Sequence, residues 1–372
     1  MKNMLVAISR WHTLGDGLAR RQDNFLLLRF LAASLVIYGH SYAIAALNTQ
    51  DIFVRSGLPF SGTIAVNLFF AVSGFLVTGS LVRRSNVISF IAARVLRLFP
   101  AYAACLVLCA FVLGPLLTTL PIGEYLRHSD TLAYVSANLG LQNIRWNLPG
   151  VFADNPYPNT INGSIWTLPA EASMYLWLAA LGLVGIFRLR WLATIVLVAL
   201  SIYGYRHWMD LPMLVHNPDY AQFAALFALG SFCYLQREWI PISHPGMLAI
   251  ALLAYLTHGT GFSSYALGLA EAYFCFWFAY CIPWHGFNRF GDYSYGIYLW
   301  GFPCQQLVTL WLGHPQPWQI TVFALPLALA IAIVSWHLLE QPALRLKDWK
   351  IWNRLGLTRA KADVDASNTD AV

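Results

Sequence analysis

Long runs of apolar residues, separated by short polar connections, recur along the 372-residue chain. A helix needs about 20 residues to cross the roughly 30 Å of hydrocarbon in a bilayer. The pattern therefore predicts an all-α fold, a polytopic membrane bundle of about ten transmembrane helices. The two shortest runs, 221–236 and 245–258, are expected to be tilted, extended at their ends or partly re-entrant. The ten runs lie at 25–46, 62–82, 98–119, 166–187, 191–209, 221–236, 245–258, 266–284, 293–312 and 318–339.

The composition supports this class. Hydrophobic residues make up 58% of the chain and charged residues 11%, whereas soluble domains are about 25% charged. The formal charge of +6 requires no nucleic-acid partner. The six cysteines lie in apolar stretches and form no CxxC pair, so we expect them to pack in the core and predict neither a disulfide framework nor a zinc site.

The basic residues fall mainly on one side of the predicted bundle. With the N-terminus inside, 18 of the 23 Lys and Arg residues lie on the inner side, and Arg29 lies within the first span. Lys and Arg near span ends favour the cytoplasm, so both termini are predicted to be cytoplasmic. The four outer residues are Arg55, Arg127, Arg145 and Arg206.

Three regions follow from this topology. We predict a cytoplasmic segment at 1–24 without a cleaved signal peptide, a transmembrane domain at 25–345 and a cytoplasmic tail at 346–372 that is disordered at its end. The longest connection, 120–165, lies outside and contains "NPYPNTING", which is typical of irregular structure. Long loops of this kind often act as binding lids.

The first span contains two ionisable residues, Arg29 and His40. Ionisable residues inside a membrane are candidates for function. Arg29 is close enough to the inner surface to act as an interfacial anchor instead. His40 lies about 16 Å further along a helix, on a similar face, and either a functional role or a structural polar contact fits it.

Further candidates cluster around later spans. Ser73 and Gly74 interrupt the second apolar run, and Arg94 and Arg97 share one face of a helix before the third. Arginine matches phosphate oxygens well, so this pair indicates a phosphate site, whereas Arg83 next to Arg84 reads as a topology signal. Around the fourth and ninth spans the candidates are Trp166, Glu171, Tyr175 and Tyr295. Singly, Glu171 also fits a residue that complements a helix dipole, and the aromatic residues fit interface positions.

Several motifs in a fixed order resemble the acyltransferase 3 family over residues 25–345. They are an arginine and a histidine eleven positions apart in the first span, then "FFAVSGFL", "FIAARVLRLFPAY", "WTLPAEASMY", "YSYGIYLWGFP" and "LLEQPALR". The resemblance implies a ten-span bacterial inner-membrane protein that takes an acyl group, usually acetyl, from a coenzyme A thioester in the cytoplasm. The acceptor implied is a carbohydrate on the outer face. The extra hydrolase-like domain of some members is not expected here.

The resemblance also implies roles for particular residues. His40 matches the essential histidine of the family and Arg29 the arginine that precedes it, while Arg94 and Arg97 match a basic pair implicated in coenzyme binding. Glu171 and the Ser73-Gly74 turn match other recurrent positions. Pro169 stands where many relatives have another residue, which affects the start of that helix.

The leading hypothesis is O-acetyl transfer to a sugar hydroxyl of an exopolysaccharide, an O-antigen or a lipid-linked precursor. His40 acts as general base or as a transient acyl carrier, with Arg29 and Glu171 as catalytic partners. Arg94, Arg97, Ser73 and Gly74 bind acetyl-CoA, and Trp166, Tyr175 and Tyr295 contact the acceptor. The expected partners are acyl-CoA, the carbohydrate, the lipid bilayer and polysaccharide-assembly proteins, with no metal. The alternative is a transporter or flippase for a polar glycan intermediate.

Overall fold

The computed structural model describes residues 12–84, 86–207 and 210–346. Within them the fold is mostly helical with almost no sheet, as predicted. We number the ten principal helices α1 to α10. They are α1 Phe25–Ala45, α2 Ser61–Arg84, α3 Val87–Leu108, α4 Leu168–Leu183, α5 Arg190–Arg206, α6 Asp219–Leu235, α7 His244–Leu256, α8 Ser263–Cys281, α9 Ser294–Leu312 and α10 Pro317–Ser335.

Shorter elements join these helices. A π-helical turn, Cys109–Leu113, and the helical turn Gly114–Leu117 continue α3, while a second π-helical turn, Trp336–Glu340, and Gln341–Leu346 continue α10. The remaining helices are Leu14–Ala19, Ile52–Arg55, Ile122–Arg127, Ser129–Leu139 and the 3₁₀ turns Ile165–Thr167, Ile186–Arg188 and His285–Arg289. The strands β1 (His12–Thr13) and β2 (Pro241–Ile242) pair antiparallel, with His12 opposite Ile242.

A helix coincides with each of the ten predicted runs. Among the described residues, four continuous helical segments are long and apolar enough to cross a membrane: Phe25–Ala45, Ser61–Arg84, Val87–Leu117 and Pro317–Leu346. The number of membrane crossings, and the cytoplasmic position of the termini, remain predictions. Residues 1–11 of the predicted segment 1–24 and residues 347–372 of the predicted tail lie outside the described residues.

The third helix begins before the apolar run at 98–119 and includes Arg94 and Arg97, which were predicted to share a helix face. The helix begins at Val87, where the side chain of Asn86 accepts a hydrogen bond from the backbone N–H of Ser89 at 3.0 Å, which satisfies a free donor at the helix start. Pro100 lies inside the helix. A proline removes one backbone hydrogen bond, but neighbouring helices make this tolerable in membrane bundles. Arg94 and Arg97 are consequently helical residues on one surface.

Helix α2 lies at the centre of the bundle. It packs most extensively against α6 and also contacts α1 and α8, while α9 packs against α1 and α10. Glycine permits the closest approach: a Cβ added at Gly74 would lie 2.0 Å from the carbonyl oxygen of Phe227, and one at Gly230 would lie 2.1 Å from that of Ala71. Small residues at such crossings allow helix backbones to touch.

The starts of α1, α3 and α9 and the ends of α2, α6 and α8 gather at one end of the bundle, which we call the arginine end. The backbone N–H of Leu14 donates to the carbonyl of Ile240, and that of Asn24 to Ala279, both at 3.0 Å. The opposite end, which we call the loop end, carries the long connection between α3 and α4. This connection is fastened to α9, because Nε2 of Gln306 donates to the backbone carbonyls of Tyr157 and Thr160.

Candidate active site

Two arginines and two carboxylates form a partly buried ion cluster where α1, α3, α9 and α10 meet. Arg29 of α1 pairs with Asp292, in the connection before α9. Nη2 of Arg97 lies 2.6 Å from the same carboxylate oxygen, and Nη1 lies 3.6 Å from Oε2 of Glu340. Ser294 Oγ donates to Oδ1 of Asp292 at 2.6 Å. Charges of opposite sign therefore compensate one another inside the protein.

The ionisation of Asp292 depends on this cluster. Its side chain is 11% exposed, and burial acts to raise the pKa because it penalises the charged form. The positive charges of Arg29 and Arg97, with the hydrogen bonds from Ser294, outweigh burial and lower the pKa of Asp292 to about 2. Asp292 is therefore ionised at neutral pH.

Arg94 lies one helical turn before Arg97 but outside the ion cluster. Its guanidinium carbon lies 5.7 Å from the ring centre of Tyr175 and 5.9 Å from that of Phe90. In the described part of the chain it forms no ion pair, and its Nε is buried without a hydrogen-bond partner. Arg94 thus keeps donor capacity that an anionic ligand can use.

A narrow cavity of about 120 Å³ extends from these arginines into the bundle. Its lining on α2 runs from Val66 to Val77, which is about 16 Å of helix. Seven of the ten predicted site residues line it: Arg29, Ser73, Arg94, Arg97, Glu171, Tyr175 and Tyr295. Phe69, Thr167 and Tyr298 also line it, further toward the loop end. The structure thus brings most of the predicted site together on one channel.

Glu171 and Tyr175 share one face of α4, as their spacing predicted. Tyr175 donates a hydrogen bond to Oε1 of Glu171, and Pro169 occupies the first turn of the helix, where a missing N–H is harmless. Across the cavity, Tyr295 donates to the carbonyl of Leu98 at 2.9 Å. The glutamate is therefore held toward the cavity by a neighbour on its own helix.

His40 lies near the C-terminal end of α1, away from the arginines. Its ring contacts Phe302 edge-on, with centroids 5.4 Å apart, and Phe60 at 6.4 Å. Its Nδ1 is buried and has no hydrogen-bond partner among the described residues. The histidine is thus set among aromatic rings, with a buried nitrogen that no described residue pairs with.

His40 does not line the cavity, although the two are close. Val66 and Tyr298 line the cavity, and one turn beyond them, about 5.4 Å, lie Gly62 on α2 and Phe302 on α9. Phe302 contacts the ring of His40, and Gly39 touches Gly62, since an added Cβ would lie 2.9 Å from its nitrogen. About one helical turn of packed side chains therefore separates the channel from the histidine.

Ser73 and Gly74 have different surroundings despite being adjacent. Ser73 lines the cavity, whereas Gly74 lies against the backbone of α6 at Phe227. Close packing of α2 on α6 therefore explains why a glycine occupies position 74. Its predicted role in coenzyme binding stays a prediction.

Trp166 lies outside the cavity, in a cleft at the loop end. Its ring stacks on Tyr220, with centroids 5.9 Å apart and planes inclined by 19°. The next residue, Thr167, lines the inner cavity, and its hydroxyl pairs with that of Tyr298 at 2.5 Å. The 3₁₀ turn Ile165–Thr167 therefore forms a thin wall between the outer cleft and the channel.

Sequence reasoning missed two members of the ion cluster. Asp292 directly precedes the "YSYGIYLWGFP" motif, and a carboxylate just before an apolar run is the signal that identifies it. Glu340 lies in the "LLEQPALR" motif, and its side chain is 1% exposed. Both contacts join residues far apart in sequence, so spacing alone gave no pairing.

The fold and these features define a membrane protein with an arginine-lined channel and a partly buried histidine. The sequence profile of the acyltransferase 3 family, described as "Acyltransferase domain", matches residues 23–337. The chain therefore belongs to the acyltransferase 3 family, and it is an acyltransferase.

Two curated relatives are similar over nearly their whole length. The protein named "O-acetyl transferase" of Shigella phage Sf6 is 28% identical over 339 residues, covering 86% of this chain and 96% of the relative. "Nodulation protein 10" of Rhizobium leguminosarum bv. viciae is 28% identical over 381 residues, covering 90% and 97%. No solved structure matches.

Proposed function

We propose that this protein is a multi-pass O-acetyltransferase of the bacterial inner membrane. It moves an acetyl group from acetyl-CoA in the cytoplasm to a sugar hydroxyl of a surface polysaccharide or its lipid-linked precursor. Membership of the acyltransferase 3 family and the printed name of the Shigella phage relative support O-acetyl transfer. The arginine end faces the cytoplasm, in agreement with the positive-inside rule.

The observation that carries the proposal is Arg94, which lines a narrow channel and forms no ion pair with a described residue. Arg94 binds a phosphate of the donor at the arginine end, with Arg97 and Arg29 close by. The pantetheine arm then follows the channel along α2, from Val77 toward Val66. A volume of about 120 Å³ suits this thin arm with a short acyl group better than a long acyl chain.

His40 acts where the acyl group meets the acceptor. One imidazole nitrogen accepts the proton of the sugar hydroxyl. The hydroxyl oxygen forms a bond to the thioester carbonyl carbon, the carbon–sulfur bond breaks, and the sulfur leaves as the thiolate of coenzyme A. The proton on His40 then passes to the thiolate, so that the products are an ester and free coenzyme A.

A covalent route uses the same residue. A nitrogen of His40 attacks the thioester and becomes acylated while coenzyme A leaves, and the sugar hydroxyl then takes the acyl group. The unpaired Nδ1 is compatible with both routes. Rapid quenching distinguishes them, because only the covalent route leaves labelled acyl on the protein when donor is supplied without acceptor.

The decisive experiment compares surface polysaccharide from cells with the wild-type gene, a deletion and His40→Ala. NMR of O-acetyl signals is measured together with the membrane level of each protein. Loss of O-acetyl groups from glycan that still reaches the surface supports the proposal. Normal O-acetylation in the deletion strain, or loss of the glycan itself from the surface, contradicts it.

A further inference from the structure

The loop end carries two neighbouring clefts that share one exposed tryptophan. The first has a volume of about 510 Å³ and the second about 580 Å³, both within the range of about 300–1,000 Å³ typical of ligand pockets. Ile144, Arg145 and Trp146 line both clefts. The indole of Trp146 is 47% exposed. The two clefts therefore adjoin at these residues, and we call them together the Trp146 groove.

Trp146 is exposed but its backbone is fixed. The side chain of Asn138, fully buried, accepts from the N–H of Arg145 and donates to its carbonyl, both at 2.9 Å. The carbonyl of Trp146 accepts from the N–H of Ile161 at 2.8 Å. Leu148, 2% exposed, anchors the chain on the far side. A large aromatic ring is thus presented to solvent from a rigid support.

The walls of the groove combine aromatic and amide groups. The first cleft adds Trp166 and Tyr220 to the side chains of Gln142, Asn143 and Asn217, and the second adds Asn147, Asn159, His128 and Asp130. Amides can both donate and accept hydrogen bonds, which matches hydroxyl groups. Aromatic rings offer apolar faces with polar edges, which match the C–H faces of sugar rings.

The charges in the groove are balanced. Nη1 of Arg145 lies 2.9 Å from Oδ1 of Asp130, so the charged pair presents no strong field of either sign. A purely apolar occupant such as a lipid chain would leave the amide groups of both clefts without partners, which is unfavourable. An uncharged or weakly charged polyhydroxylated chain fits this lining better.

The Trp146 groove also lies close to the donor channel and to His40. Trp166 belongs to its first cleft, and the next residue, Thr167, lines the inner channel. Gly163, in the same segment, packs on Phe302, since an added Cβ would lie 2.6 Å from that ring, and Phe302 contacts His40. A chain in the groove would therefore end beside the thin wall that separates it from the donor channel and His40.

We propose that the Trp146 groove binds the acceptor as an oligosaccharide, with sugars on both sides of the Trp146 indole. This rests on the proposed function and names how its acceptor is recognised. Because two clefts are filled, the enzyme selects a chain of several sugars over a single sugar.

The test measures binding to fragments of increasing length. The probes are oligosaccharides cut from chemically de-O-acetylated surface polysaccharide of the producing cell, titrated calorimetrically into the protein in lipid nanodiscs. The wild type is expected to bind fragments that fill both clefts at least about tenfold more tightly than a monosaccharide. Trp146→Ala should lose about tenfold in affinity for long fragments, and Trp146→Phe should recover part of it.

Trp318→Ala is the matched control, because Trp318 is also exposed and begins α10 at the loop end. It should bind like the wild type. The proposal that the groove binds the acceptor is overturned if wild type and Trp146→Ala bind every fragment with equal affinity. It is also overturned if lipid alone protects residues 142–147 from hydrogen exchange. O-acetylation in cells is measured in parallel: if it continues while the groove binds no fragment, only the groove is overturned, whereas its absence in wild-type cells overturns the proposed function.

Discussion

Arg29 and His40 lie on the same helix, α1, but one is surrounded by charged groups and the other by aromatic rings. Arg29 meets a carboxylate from a different part of the chain and belongs to a cluster of two arginines and two acidic residues. His40, about 16 Å further along the same helix, meets the rings of Phe60 and Phe302, and its Nδ1 has no partner among the described residues.

This difference assigns a structural role to the Arg29 end of α1 and a reactive role to the His40 end. A buried charge is tolerated when opposite charges and hydrogen bonds compensate it, and the cluster around Arg29 meets this condition before any ligand binds. An unpaired polar atom in an apolar site has no such compensation. We expect the paired end to stabilise the fold and shape the donor site, and the unpaired end to react.

The largest effect is expected at His40. Replacement by Gln, similar in size, should reduce acetyl transfer by about 10²–10⁴-fold because the proton acceptor is lost, without lowering the membrane level of the protein. Acceptor-dependent release of free coenzyme A in proteoliposomes measures this. His314→Gln, at an exposed site, should retain activity, and wild-type activity in His40→Gln would remove His40 from the chemistry.

Replacing Asp292 tests the structural role of the ion cluster. Asp292→Asn leaves Arg29 and Arg97 with too little negative charge, and breaking a buried pair costs about 3–5 kcal/mol. Thermal unfolding in nanodiscs should show this loss. Glu238, which pairs with Arg237 on the surface at 3.2 Å, is the matched carboxylate, and Glu238→Gln should cost at most about 1 kcal/mol. Equal stability of Asp292→Asn and wild type would contradict the role of the cluster.

The pH dependence of this stability has a definite sign. Because the pKa of Asp292 in the fold is about 2, below the ordinary value of about 3.9, its contribution is fully present above the ordinary value. It is lost as pH falls through about 2. The stability difference between wild type and Asp292→Asn should shrink below about pH 4, where the carboxylate of Asp292 becomes protonated. A difference that vanishes by pH 6 would show that another group titrates.

Some features of the two ends could be predicted from the sequence and others could not. The apolar runs located all ten principal helices, and helical spacing placed Arg94 with Arg97, and Glu171 with Tyr175, on shared faces. The apolar run at 98–119 did not mark the start of α3, because the helix begins at Val87 and carries arginines ahead of that run. The pairing of Arg29 with Asp292 was missed because it joins residues that only the packed bundle brings together.

Ser73 and Gly74 provide a smaller test, since one faces the channel and the other faces α6. Gly74→Ala places a methyl group against the backbone at Phe227, and such overpacking costs about 1–3 kcal/mol. Thermal unfolding should therefore detect Gly74→Ala. Ser73→Ala should unfold like the wild type and change only the apparent affinity for the donor. If Gly74→Ala keeps full stability but loses donor affinity, the glycine belongs to the donor site instead.

The smallest effect is expected at Arg94, the arginine that the ion cluster leaves unpaired. Arg94→Ala removes a phosphate contact without breaking an ion pair with a described residue, so stability should be unchanged while KM for acetyl-CoA rises about tenfold at nearly constant kcat. A hydrogen bond to a charged group contributes about 1.5–3 kcal/mol, and partial replacement by the neighbouring arginines keeps the effect at the low end. Arg83→Ala, an exposed arginine at the same end of the bundle, should leave KM unchanged. An unchanged KM in Arg94→Ala would move the donor phosphates onto Arg29 and Arg97, and binding there would have to displace Asp292.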